Sequence, residues 1–144
     1  MTVIKELLGA LWSKMNRVPK ISMSRLRKDD IPVTPGIYAL YRGDHPIYVG
    51  RAKCLQQRLW KNHSGRGVKM TGSALRRNIS EHLGFSTADD IKKGRYVLKS
   101  QELVKVRSWL DDCAVAWIEC ETEDAAILLE GDFKREYMPL LTKK

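Results

Sequence analysis

Two tyrosines ten residues apart, Tyr38 and Tyr48, an arginine ten further on, Arg58, and a late glutamate, Glu130, are the residues whose types and spacing could do chemistry. The tyrosines lie in short apolar tripeptides, Gly36-Ile37-Tyr38 and Tyr48-Val49-Gly50. A phenol titrates at about 10, so at neutral pH it donates hydrogen bonds and is a poor base unless neighbouring cations lower that value. Arginine's planar fork engages two oxygens of a phosphate or carboxylate together. A glutamate can take a proton or offer a hard oxygen to a cation. Strand tyrosines are also common packing residues and helix charges are commonly solvated, so the weight rests on the ordered set.

Those side chains need elements to hold them. Gly36 to Arg42 predicts a strand, Gly43-Asp44 a turn, and Ile47 to Gly50 a second strand, which together make a hairpin. For Tyr38 and Tyr48 to share one face of an antiparallel pair, paired positions must add to an even number. A three-residue loop, Gly43-Asp44-His45, does this with Arg42 opposite Pro46, unless a bulge intervenes. Ile37, Ala39, Ile47 and Val49 would then form the opposite, packed face. Residues 52 to 62 predict a helix with Leu55 and Leu59 against the sheet. A helix from Ser73 to Leu83 bears Arg76 and Arg77 and stops at Gly84. A short helix follows over Ala88 to Gly94, then a helix capped by Ser100 and running to about Leu110. Cys113 to Cys120 predicts a third strand. Thr122 can cap a last helix in which Leu129, Phe133 and Tyr137 form a stripe with Glu130 at its edge, and Pro139 ends it.

Ahead of this core, Val3, Ile4, Leu7, Leu8, Leu11, Trp12 and Met15 recur at helical spacing, which predicts an amphipathic accessory helix. It would pack on the domain or, less simply, meet a protein partner or a second copy. A polar, basic segment from Ser22 to Asp30 leads to Pro32 and Pro35 and an extended approach to the first strand. Residues 1–32 thus read as accessory helix and connector, and 33–144 as one domain.

A chain of 144 residues with 43% hydrophobic side chains can bury a core without staples. The net charge of +9 and pI near 9.6 point to a polyanion as partner. From Arg51 to Arg77 there is no Asp or Glu at all, whereas Glu123, Asp124, Asp132 and Glu136 surround Glu130. Cys54, Cys113 and Cys120 are too few and too irregularly spaced for a disulfide framework or a zinc site, which suits a reducing cytoplasm. Nowhere are there about 18 consecutive apolar residues, so a soluble protein without membrane association is expected.

The ordered set Tyr38, Tyr48, Arg51, Arg58 and Glu130 resembles the GIY-YIG nuclease family over roughly residues 33 to 141. The resemblance implies a small mixed α/β (α+β) fold, a three-stranded antiparallel sheet flanked by helices, with the stretch between the second helix and the third strand as an elaboration. It also implies phosphodiester cleavage around one divalent cation, Mg²⁺ or Mn²⁺. One carboxylate can suffice for such a cation, because magnesium keeps water and recruits phosphate oxygen. By resemblance Glu130 holds the metal, Tyr38 positions or deprotonates the attacking water, Tyr48 orients the phosphate or water network, and Arg58 contacts the scissile phosphate. Arg51 stands where relatives carry lysine. With Lys53, Lys61, Arg66, Lys69, Arg76 and Arg77 it would form a nucleic-acid track.

His63 departs from the family's pattern. Relatives place a tyrosine or histidine four residues after the arginine, which here is Asn62. On an α-helix, at about 100° per residue, Asn62 lies roughly 40° from Arg58 and His63 roughly 140° away. Unwinding at Ser64-Gly65 could bring the imidazole back as a proton relay near Tyr38; otherwise His63 is an exposed loop residue. His45 and His82 read as structural. Thr142 stands where relatives often have an asparagine, which leaves that contact open. The resemblance favours DNA over RNA as substrate, in a repair, restriction or mobile-element setting, since excision-repair, homing and restriction relatives cut DNA. The alternative is a nucleic-acid-binding protein on the same fold with weak or no catalysis.

Overall fold

A computed structural model describes residues 9–63 and 73–142, leaving aside the side chains of residues 61–63. The elements are α1 (Ala10–Arg17), β1 (Ile21–Ser22), two 3-10 turns (Met23–Arg25 and Lys28–Asp30), β2 (Gly36–Arg42), β3 (His45–Ala52) and a π-helix (Gln57–His63). Then come α2 (Ala74–His82), α3 (Ala88–Lys92), α4 (Ser100–Asp111), β4 (Ala114–Glu119) and α5 (Glu123–Glu136).

The sheet is antiparallel with order β1-β4-β2-β3, so it has four strands rather than three. The extra strand lies in the basic connector, where Ile21 pairs with Val115 and Ser22 with Ala114. Two residues are too few to show an alternation, and Ser22 is polar, so nothing in the local pattern announces a strand.

The hairpin reaches the expected facing of its tyrosines by a different route. Its turn has two residues, Gly43-Asp44, with Arg42 opposite His45 and Gly43 at φ 60°, a value glycine adopts without a Cβ penalty. That turn alone would put Tyr38 and Tyr48 on opposite faces. The register then shifts: Tyr41 pairs with Pro46 but Leu40 with Tyr48, so Ile47 is the extra residue of a β-bulge. Pro46 has no amide to give the ladder, which makes this edge strand easy to bulge there. As a result Ile47 packs with Tyr38, Leu40 and Tyr48, not with Ile37, Ala39 and Val49 as a bulge-free register requires.

Each face of the sheet is covered. Tyr38, Leu40, Tyr48 and Val115 meet Leu55, Leu59, Leu75, Ile79, Val106 and Leu110 from the helices on one side. Ile37, Ala39, Tyr41, Val49 and Ala116 meet Trp12, Met15, Ala126 and Phe133 on the other. The described part of the N-terminal helix thus packs on its own domain, with Trp12 and Met15 fully buried. It is fastened to α5: the Glu136 carboxylate accepts from the Leu11 amide at 3.1 Å and the Trp12 amide at 3.3 Å, and Trp12 Nε1 donates to the Phe133 carbonyl at 3.0 Å. A carboxylate there satisfies amides that the first helical turn leaves without partners. Helix α5 also carries Glu130, so this clamp fixes the backbone on which that residue sits.

The helix termini repeat the argument. Ser73 Oγ accepts from the Arg76 amide at 3.1 Å and Thr122 Oγ1 from the Ala125 amide at 3.0 Å, as N-caps do. At α4 the expected Ser100 cap gives way to Glu102, whose carboxylate accepts from the Lys99 amide at 2.8 Å and is itself held by the Tyr96 hydroxyl. Among the described residues no helix is long and apolar enough to cross a membrane.

Candidate active site

The two motif glycines are where they are for steric reasons. A Cβ on Gly36 would fall 2.5 Å from the Ile118 carbonyl and 2.7 Å from Leu55 Cδ1, both fixed in the core. A Cβ on Gly50 would fall 2.5 Å from the Tyr38 hydroxyl oxygen and 2.6 Å from Cζ. Gly50 is the residue opposite Tyr38 across the hairpin, so its bare Cα is what lets the Tyr38 ring lie flat along the strand pair. The ring then stacks on Tyr48, with centroids 6.1 Å apart and planes 29° apart.

The two phenols are not equivalent. Tyr38 is 2% exposed, and Tyr48, at 8%, lines a cavity of about 380 Å³ that also contains Glu130. The Tyr38 hydroxyl donates a hydrogen bond to Tyr48, which leaves Tyr48 oxygen as the acceptor of the pair. Burial first of all, then the Tyr48 phenol, holds the Tyr38 pKa well above the ordinary tyrosine value, with Arg58 pulling it the other way. Burial also raises Tyr48, but there the hydrogen bond from Tyr38 and the Arg58 and Arg77 guanidiniums oppose it. Tyr48 is thus the phenol both nearer the open space and better supported as an anion.

Arg51 reaches the site from strand β3 rather than from the following helix, with Nε 3.6 Å from Glu130 Oε1. Lys134, one turn beyond Glu130 on α5, places Nζ 3.7 Å from the same oxygen. Arg51 Nε is buried with no hydrogen-bond partner. Glu130 is 19% exposed and faces the cavity, so its carboxylate is held between two cations and open on one side. Among the described residues no three His, Cys, Asp or Glu side chains converge as a metal cage. A single hard carboxylate on a polar, roomy cavity fits Mg²⁺ or Mn²⁺, which keep much of their water.

The helix after β3 starts at Leu55, whose amide donates to the Thr34 carbonyl at 2.9 Å, and winds as a π-helix from Gln57 to His63. Leu55 and Leu59 are fully buried against the sheet as expected. Hydrogen bonding from i to i+5 puts backbone position 63 one turn beyond 58, the place that position 62 takes in an α-helix. The side chains of Lys61 and His63, and all of Arg66 and Lys69, lie outside the described residues. Lys53 is exposed. Arg76 and Arg77 diverge on α2: Arg77 lines the cavity beside Tyr48, and Arg76, partly buried and near enough to Arg107 of α4 to feel its charge, does not.

Thr142 makes a contact that closes the site's edge. Its Oγ1 accepts from the Val49 amide at 2.9 Å, while the Leu141 amide donates to the Ile47 carbonyl at 2.8 Å. The outer edge of β3 beside Tyr48 is thereby paired. Asn78 Nδ2 of α2 donates to the Leu141 carbonyl at 2.9 Å and holds that segment. His45 is exposed at the hairpin turn, and His82 lies against Trp109 with ring centroids 5.6 Å apart, away from the site. Lys92 of α3 and Lys134 of α5 also line the cavity. Neither stood out in the sequence: the acid-free stretch ends before both, and each has acidic neighbours in the chain.

A sequence model of the GIY-YIG catalytic domain matches residues 20–144. Among solved structures, the chain is similar to the GIY-YIG N-terminal endonuclease domain of UvrC from Thermotoga maritima bound to its catalytic divalent cation, magnesium. That match has 19% identity, 77% of this chain and 85% of that chain covered, and a TM-score of 0.42. A tyrosine-to-phenylalanine variant of the same domain matches at 16% identity over 93% of this chain and 96% of that one, with a TM-score of 0.43. No curated protein matches the chain's sequence.

Proposed function

The chain belongs to the GIY-YIG catalytic-domain family, and we propose that it is a divalent-metal-dependent endonuclease with DNA as its preferred substrate. The observation that carries this reading is the convergence of Tyr48, Glu130 and Arg77 on one cavity, with Tyr38 hydrogen-bonded to Tyr48 and Arg58 near enough to favour its anion. Phosphodiester hydrolysis needs a base for water, positive charge against the developing charge on phosphate oxygens, and help for the leaving oxygen. Tyr48, hydrogen-bonded by Tyr38, orients the attacking water and takes its proton. Arg58 engages the scissile phosphate, and Glu130 is the residue that would hold Mg²⁺ or Mn²⁺. The cation, when bound, supplies Lewis-acid polarisation of the phosphate. Arg51 and Lys134 hold the Glu130 carboxylate in place and add positive charge beside it.

His63 completes this reading as a proton relay. The π-helical turn offsets the one-residue displacement from Arg58, so regular winding and a catalytic histidine are compatible. His63→Ala is expected to lose about 10²-fold in rate, in the range of general acid–base catalysis. A near-parental single-turnover rate would remove His63 from the mechanism.

Support for DNA comes from the DNA-cutting relatives that the motif set resembles and from the basic charge of the chain. Matched supercoiled, linear, flapped and branched DNAs, with RNA of the same sequence, should separate the substrates in Mg²⁺ or Mn²⁺. At least one DNA is expected to be cut faster than the RNA. Cleavage of RNA alone would reverse the preference, and tight binding without any cleavage would favour the non-catalytic alternative.

A further inference from the structure

Resting on the nuclease reading, we propose that the cavity beside Glu130 is a subsite for the phosphodiester next to the scissile one, held by Arg77, Lys92 and Lys134. Three cations from three separate elements, α2, α3 and α5, line one concavity of about 380 Å³. That volume is in the range of small-ligand sites, about 300–1,000 Å³. The space exists because the wall positions between the cations are small: Ala74 begins α2 and Ala88 begins α3.

Charge on the wall is left over for a ligand. Asp89 of α3 also lines the cavity, but its carboxylate is already paired with Lys93 at 3.1 Å and Arg95 at 3.8 Å, and Asp90 meets Arg95 at 3.4 Å. Lys92 projects from the same short helix into the cavity wall, exposed, and among the described residues it makes no ion pair. Lys134 shares its charge with Glu130. Arg77 sits at the Tyr48 end. Arg58 is not part of this wall, so the cavity offers phosphate contacts beyond those of the scissile group. A strand whose scissile phosphate lies against Tyr48 and Arg58 would run its neighbouring phosphate past Glu130 into this space. Helix α3, which carries Lys92, belongs to the elaboration between α2 and β4. The subsite would give this domain a grip on the substrate strand beyond the scissile phosphate.

The test is binding of a fluorescent DNA oligonucleotide, and separately of its RNA counterpart, in EDTA over a salt series, followed by cleavage with Mg²⁺. Lys92→Ala and Arg77→Ala are each expected to weaken binding about 3- to 10-fold and to reduce the slope of log affinity against log salt by about one. Arg27→Ala, an exposed charge paired with Asp30, should change neither. A neutral methylphosphonate at the flanking phosphate should cost the parent the same factor and cost Lys92→Ala nothing further, because both remove one contact. The same pattern seen only with the RNA would keep the subsite and change the strand it serves. Parental affinity and slope in Lys92→Ala, or additive losses with the methylphosphonate, would overturn the subsite while leaving the nuclease intact. A parent that binds neither polymer would overturn both.

Discussion

Glu130→Gln is expected to lower cleavage by at least about 10³-fold while nucleic-acid affinity stays within a few fold of the parent. The amide keeps the shape of the side chain but loses the anionic oxygen that a hard cation requires. The two cations beside it, Arg51 and Lys134, remain to attract phosphate, so binding does not depend on the carboxylate. Folding should survive. Glu130 and its partners are partly exposed, and such pairs contribute about 0–1 kcal/mol. Single-turnover cleavage and equilibrium binding in EDTA, measured on the same preparation, separate the two effects. Cleavage at the parental rate would remove Glu130 from the site.

Tyr48→Phe carries the second large effect, a loss of about 10²- to 10⁴-fold, against about tenfold for Tyr38→Phe. The asymmetry follows from position. Tyr48 lines the cavity and accepts the hydrogen bond, whereas Tyr38 is buried and acts through it. A pH profile adds a readout that misfolding would not imitate. Burial holds the Tyr48 pKa above the ordinary value, so the phenol is mostly protonated at neutral pH and its reactive fraction grows about tenfold per unit as pH rises towards that pKa. The parental rate should therefore climb across the neutral and mildly alkaline range, and the slope should flatten in Tyr48→Phe. Equal losses in the two variants, or an unchanged slope, would contradict the division of roles.

Much of the site was legible because its signals are local. Short apolar runs mark β2 and β3, a capping Thr122 marks α5, and spacing alone orders Tyr38, Tyr48, Arg58 and Glu130. What escaped depends on contacts far along the chain. β1 exists because Ile21 and Ser22 find β4, not because two residues have strand character. The bulge at Ile47 settles a conflict between a two-residue turn and the burial of both tyrosines, and parity alone could require a correction without saying where it falls. The π-helix is a winding choice over seven residues that leaves the spacing of Leu55 and Leu59 unchanged. Adjacent arginines on a helix point about 100° apart, but which of Arg76 and Arg77 meets the cavity depends on how α2 packs. Lys92 and Lys134 join the cavity through tertiary placement of α3 and α5, with acidic sequence neighbours masking their charge.

The most direct test of the account is a cleavage assay of the parent and Glu130→Gln side by side on the DNA panel, with Mg²⁺, with Mn²⁺ and with excess EDTA. The account predicts strand cleavage by the parent with either cation, none in EDTA, restoration when Mg²⁺ is added back, and no comparable activity in Glu130→Gln. Parental cleavage that persists in EDTA, or that Glu130→Gln matches, would contradict a one-carboxylate metal centre at the heart of this fold.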